Sequence, residues 1–146
     1  MPQKNTLVYL VQTDTTAGFL SKDAKLLNAI KQRPLNKPCI LCAAAFRDIL
    51  PRVPSRYKKL VRNAKNSTFI LPNGQSFRVV KDDIHRKFLA KTGAMYSTSA
   101  NLTNHSFDIN FAKSKADIVV EDERGLYESA PSTMIKLGRK IRKKIR

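Results

Sequence analysis

Acidic residues are scarce in this chain: 11 Asp and Glu stand against 28 Lys and Arg, a net charge of +17 over 146 residues. The resulting field concentrates polyanions such as nucleotides, RNA or an anionic membrane, and does not select among them. A basic balance of this kind is equally compatible with a merely solvated surface. Histidine is limited to His85 and His105, and cysteine to Cys39 and Cys42, which leaves no second half for a zinc site, so no metal site is predicted. The two cysteines lie in an apolar stretch after Pro38, where reduced thiols pack as small hydrophobes, and a reducing cytoplasm is the expected setting. The longest apolar runs, such as residues 7–11, fall far short of the ~20 residues that cross a bilayer, so neither a membrane partner nor an export signal is expected. Glycine is sparse too, at 5. The chain has no Gly-rich Walker loop, no dinucleotide fingerprint and no nucleophile-plus-base triad. Any catalysis has to work by positioning and charge.

What is present describes a folded protein. Hydrophobic residues make up 42% and charged residues 27%, and the length fits one domain over residues 1–146 with a core that needs no staple. Residues 7–11 read as a buried strand, followed by a polar turn over residues 12–18 and a helix capped by Ser21 that runs to Gln32. A second strand spans residues 38–42, and Ser55 caps a basic helix over residues 56–64. The Asn73-Gly74 turn joins two strands, residues 68–71 and 75–80, into a hairpin. Asp82 and Gly93 bracket a further helix, and strands follow at residues 94–98, 117–120 and 132–137, with a polar loop between the first two. This alternation predicts an α/β fold with a mixed sheet. In the basic tail, residues 136–146, the apolar Leu137, Ile141 and Ile145 recur every four residues. That spacing predicts one helical face, docked on the body or presented with its charges to RNA.

Three polar clusters fall at element ends. In Lys31-Gln32-Arg33-Pro34 two cations stand two residues apart where Pro34 stops a helix, and an extended chain there would aim both toward one side, Arg as a phosphate fork and Lys as a point charge. Ser97, Ser99 and Asn101 share one side of a strand end, with Thr98 and Ala100 on the other. Strand ends are where open α/β sheets bind ligands. Thr13-Asp14-Thr15 closes the first strand, and Gly18 permits close backbone approach.

Taken in order, Thr13-Asp14-Thr15, Lys31-x-Arg33-Pro34, Ser99-Ala100-Asn101 and Ser132-Thr133 resemble the motifs of the YrdC-like family of threonylcarbamoyl-AMP synthases across nearly the whole chain. The resemblance implies an open, twisted, mixed parallel and antiparallel sheet with helices on both faces and a positively charged concave cavity. It implies an enzyme that condenses L-threonine, bicarbonate and ATP into threonylcarbamoyl-AMP and pyrophosphate, with Mg2+ held mainly by phosphates and water. The adenylate then goes to a downstream transferase machinery that modifies position 37 of tRNA. Carried over by the motifs, Lys31 and Arg33 are the catalytic cations. Lys31, Arg33, Lys37, Ser99, Asn101 and Ser132 bind ATP, while Thr15, Arg78, Ser97 and Thr133 bind threonine. The alternative is a non-catalytic module of the same fold that binds double-stranded RNA or tRNA. Departures from the family pattern are Gln12 for a proline, Thr16-Ala17 without the usual tyrosine, Lys37 for an asparagine, Cys42 for a histidine, and Val79-Val80 without a proline.

Overall fold

The computed structural model describes residues 6–49, 52–138 and 142–145. Its strands are β1 (Tyr9–Gln12), β2 (Ala17–Ser21), β3 (Ile40–Ala43), β4 (Ser67–Ile70), β5 (Ser76–Val79), β6 (Met95–Ser99), β7 (Ile118–Val120), β8 (Thr133–Leu137) and β9 (Arg142–Lys144). The helices are α1 (Ala24–Ile30), α2 (Lys58–Asn63), α3 (Asp83–Thr92) and α4 (Ile109–Lys115). All nine strands form one sheet in the order β7-β1-β2-β6-β3-β5-β4-β8-β9. The β1–β7, β3–β5 and β4–β8 pairs are parallel and the others antiparallel. This is the open mixed α/β sheet expected from the sequence.

Alternation along each strand assigns the two faces. One face carries Leu10 and Phe19, which pack with Leu27 of α1 and Ala112 of α4, and Phe69, Phe77 and Leu137, which pack with Val61 of α2. The other face carries Val11, Leu20, Cys42 and Met95 beneath Leu89 of α3. Helices therefore cover both faces, but α3 covers only part of its own. The uncovered remainder of that face is where the cavity lies.

Local chemistry explains most element ends. Gly74 takes φ +88 in the Asn73-Gly74 hairpin turn, a region closed to most side chains. Asp82 accepts a hydrogen bond from the His85 N–H at the start of α3, and Gly93 ends the helix at φ +84. Three expectations are corrected. Residues 17–21 form β2 instead of finishing a turn, and the cap of α1 is Asp23, which accepts from the Lys25 N–H. Every residue of β2 is buried, so no polar alternation advertises it. The loop before residue 117 contains α4, whose cap Asp108 accepts from the N–H groups of Asn110 and Phe111. The tail is not a helix: Leu137 ends β8 and Arg142–Lys144 is the antiparallel strand β9. Ile141 lies outside the described residues.

Candidate functional site

The cavity measures about 380 Å³ and is open to solvent, within the range of small-molecule sites. Its floor is one face of the sheet: Ile40 and Cys42 of β3, Ser76 and Arg78 of β5, Ser97 and Ser99 of β6, and Met134 of β8. Thr13, Thr15 and Thr16 of the β1–β2 turn line one side, and Arg33 and Lys37 another. Gly18 completes the lining from β2. A Cβ there would stand 3.0 Å from the Thr13 methyl and 3.2 Å from the Thr98 carbonyl oxygen.

The two expected cations reach this region by different routes. Lys31 caps α1, and Gln32 follows at φ +54, a left-handed turn in place of the extended geometry predicted for residues 31–33. The turn closes through hydrogen bonds from the Gln32 and Arg33 N–H groups to the carbonyls of Ala29 and Asn28, so the two side chains diverge. Lys31 is 4% exposed. Its ammonium donates to the Ser99 carbonyl (2.9 Å), the Ser99 hydroxyl (3.0 Å) and the Asn101 side-chain oxygen (3.3 Å). Burial first, then the Arg33 and Lys37 charges, lowers its pKa to about 8. Arg33 lines the cavity and is oriented by neutral groups, donating to Asn28 Oδ1 (2.6 Å), Thr98 Oγ1 (3.2 Å) and Cys39 Sγ (3.4 Å).

Asn28 is a positioning residue that the sequence did not single out. Fully buried, it also donates to the carbonyls of Leu35 and Lys37 at 2.9 Å each. It thereby fixes the loop that carries Lys37 and the guanidinium of Arg33 together. An asparagine on the apolar side of a helix, three residues before the cationic motif begins, was the available signal.

Arg78 has an acidic partner. Its guanidinium forms an ion pair with Asp14 and donates to Thr15 Oγ1 at 3.5 Å, and both charged side chains are under a tenth exposed. The Thr13-Asp14-Thr15 turn is itself braced by the Thr13 hydroxyl, which donates to the Thr16 carbonyl (2.6 Å) and accepts from the Thr15 N–H (3.1 Å). Next to it Arg124 donates to the Gln12 carbonyl, Asp82 and Asp122, and Gln12 Oε1 accepts from the Tyr127 N–H. Burial pushes the Cys42 thiol pKa up. His85, 1% exposed, has neither ring nitrogen hydrogen-bonded, and burial lowers its pKa to about 4.

Of the ten residues carried over by resemblance, Arg33, Lys37, Thr15, Arg78, Ser97, Ser99 and Ser132 line the cavity, whereas Lys31, Asn101 and Thr133 do not. Lys31 and Asn101 instead meet behind Ser99. Thr133 pairs with Ser67 in the sheet, beside Ser132, whose hydroxyl lies 2.6 Å from that of Thr68. No three His, Cys, Asp or Glu side chains among the described residues gather as a metal site. No helix there is long and apolar enough to cross a membrane.

This architecture has counterparts among solved structures. P. abyssi Sua5 complexed with L-threonine superposes with a TM-score of 0.79 at 18% identity, over 96% of this chain and 50% of that one. E. coli YciO superposes with a TM-score of 0.76 at 19% identity, over 98% and 84%. The fold is YrdC-like. Full-length HypF in its phosphate- and nucleotide-bound form shares this YrdC-like fold, with a TM-score of 0.74 at 13% identity over 96% of this chain and 26% of that one. The chain spans about half the length of the Sua5 structure. No family model and no curated protein matches the sequence.

Proposed function

We propose that this YrdC-like chain makes L-threonylcarbamoyladenylate from L-threonine, bicarbonate and ATP. The observation that carries the reading is the division of the cavity into two electrostatic ends. Arg33 and Lys37, with Lys31 behind them, form an end where none of the three has a carboxylate partner among the described residues, which suits a polyphosphate. The Arg78–Asp14 pair forms an end of balanced charge, which suits an amino acid carrying both signs. Support also comes from relatives in fold, one bound to L-threonine and one to phosphate and nucleotide.

In this reading threonine lies against Thr15, Ser97 and Arg78, its carboxylate toward the guanidinium. Carboxylation of its nitrogen by bicarbonate with loss of water gives a threonine carbamate, which attacks the α-phosphorus of ATP through a carbamate oxygen. The bond to the β-phosphate bridging oxygen breaks, and pyrophosphate leaves. Arg33 and Lys37 take up negative charge on the transferring and departing phosphates, while the rigid sheet aligns the reactants. Lys31 is assigned to positioning: from behind, together with Asn101, it locks Ser99 as the edge against which the phosphates lie. Among the described residues no Asp or Glu lines the cavity, and Asp14 beside it is engaged by Arg78, so the donor set fits Mg2+ carried on ATP rather than in a protein cage. Such an ion would supply charge neutralisation on the phosphates. The adenylate would then pass to the tRNA-modifying transferase in a cytoplasmic pathway.

The test is calorimetric titration of ATP with and without L-threonine, together with threonine- and bicarbonate-dependent release of pyrophosphate. ATP binding in the micromolar range that tightens with threonine, with pyrophosphate release, is the expected result. ATP binding without turnover would favour the non-catalytic RNA-binding module, a reading helped by the engagement of Arg78 by Asp14. Absence of ATP binding would end the proposal.

A further inference from the structure

The sheet continues past the cavity, and its register places a second cationic feature on the same face. Ser76, which lines the cavity, stands opposite Ile70 on β4. Ile70 stands opposite Lys136 on β8, and Lys136 opposite Lys143 on β9. Directly paired residues share a face, so the ammonium groups of Lys136 and Lys143 emerge on the cavity side. At roughly 4.8 Å per strand their Cα positions lie about 10 and 14 Å beyond that of Ser76.

Two lysines directly opposite one another are mutually destabilising. Neither makes an ion pair or side-chain hydrogen bond among the described residues, and both are exposed. On the opposite face of the same strand, Arg142 faces Leu137 and Lys144 faces Ile135. Leu137 and Ile135 pack with Val61 of α2, which brings those two cations to the side bearing Lys59 and Arg62. Tyr57 fixes this junction by donating to the Gly138 carbonyl at 2.7 Å. The last strand in the order is therefore cationic on both faces, with no acidic residue from Thr133 to Lys144.

We infer that the β8–β9 edge is a docking site for the phosphodiester backbone of a nucleic acid, with Lys136 and Lys143 leading the strand toward the cavity mouth. A rod of regularly spaced anions fits an edge that is charged on both faces, since its phosphates can lie along both. A flat anionic membrane could engage one face only, and Ile145 is the only large exposed apolar side chain at this edge among the described residues. Lys136 and Lys143 do not line the cavity, although Met134 of β8 does, so this inference rests on side chains other than those of the catalytic one.

The experiment follows fluorescence anisotropy of a labelled RNA stem-loop across a salt series. Lys136→Glu with Lys143→Glu should weaken binding at least tenfold and reduce the log–log salt slope by about 2. ATP titration should be unchanged. A charge-matched control, Lys87→Glu with Lys115→Glu, should weaken RNA binding by less than threefold. Equal effects of the two double variants, or an unchanged slope, would overturn the inference. So would binding of phosphatidylserine vesicles that depends on Lys136 and Lys143 while RNA binding does not. Lys136→Gln with Lys143→Gln, checked by thermal melting, should lose affinity without loss of fold, which separates charge from misfolding.

Discussion

Arg33 and Arg78 point into one cavity from chain positions 45 residues apart, yet they are held in opposite ways. Arg33 is held by neutral groups, an amide oxygen, a hydroxyl and a thiol, which orient the guanidinium and leave its charge uncompensated. Arg78 is held by a buried carboxylate, which removes its net charge while keeping its donors in place. A cation oriented by dipoles awaits an anion, whereas one already paired can bind a carboxylate only in competition with its partner. Lys31 lies between these extremes. It is surrounded by three acceptors, yet burial first, and then two neighbouring cations, loosens its proton.

The sharpest way to break this contrast is to remove Arg33. Arg33→Ala should lower threonine-dependent pyrophosphate release at least a hundredfold, because a charge-assisted fork to phosphate is lost from a desolvated wall. RNA affinity, spread over many cations, should stay within about threefold. Retained turnover would move the phosphate role to Lys37.

A second comparison isolates the pair. Asp14→Ala strands the Arg78 charge in the interior and should cost about 3 kcal/mol in denaturant unfolding. The double variant Asp14→Ala with Arg78→Met should recover most of that. If the single and double variants lose the same stability, the ion pair is not what holds the turn.

The smallest effects are pH slopes, which compare two buried bases. Lys31 has its folded pKa lowered from 10.5 to about 8, so between these values the unfolded chain binds more protons and stability rises with pH. The gain should be no more than about 3 kcal/mol, and Lys31→Met should flatten it. His85, lowered from 6.5 to about 4, is unpenalised above pH 6.5. Stability should fall as pH drops from 6.5 to 4, and less so in His85→Leu, which also removes two unpartnered nitrogens. Matching slopes in variant and parent would clear these groups of the effect.

Features set by one or two neighbours were readable from the sequence. The Asn73-Gly74 turn, the Asp82 cap and the Gly93 stop follow from local backbone chemistry, and each stands where expected. Elements that depend on distant packing were not. β2 is buried along its whole length and so carries no period, and the spacing of Leu137, Ile141 and Ile145 suits a helix, whereas the chain here completes a sheet edge. At the site, Lys31, Ser99 and Asn101 were grouped by resemblance, and the hydrogen bonds join them. The pairing of Asp14 with Arg78 spans 64 residues, and no pattern within either segment announces it. Asp108 was a legible cap for α4, but at seven residues, Ile109–Lys115, the helix is too short for its apolar spacing to mark it.

Gly18 has a consequence for how the cavity can change. With the Thr13 methyl and the Thr98 carbonyl crowding the position where a side chain would begin, the depth of the hollow at that point is set by main chain alone. Substitution can reshape the rim and exchange charges around it, but a side chain at this floor requires the Thr13 methyl and the Thr98 carbonyl to give by a few tenths of an ångström. A ligand that reaches it meets bare peptide groups, and variants that alter selectivity should therefore map to the walls.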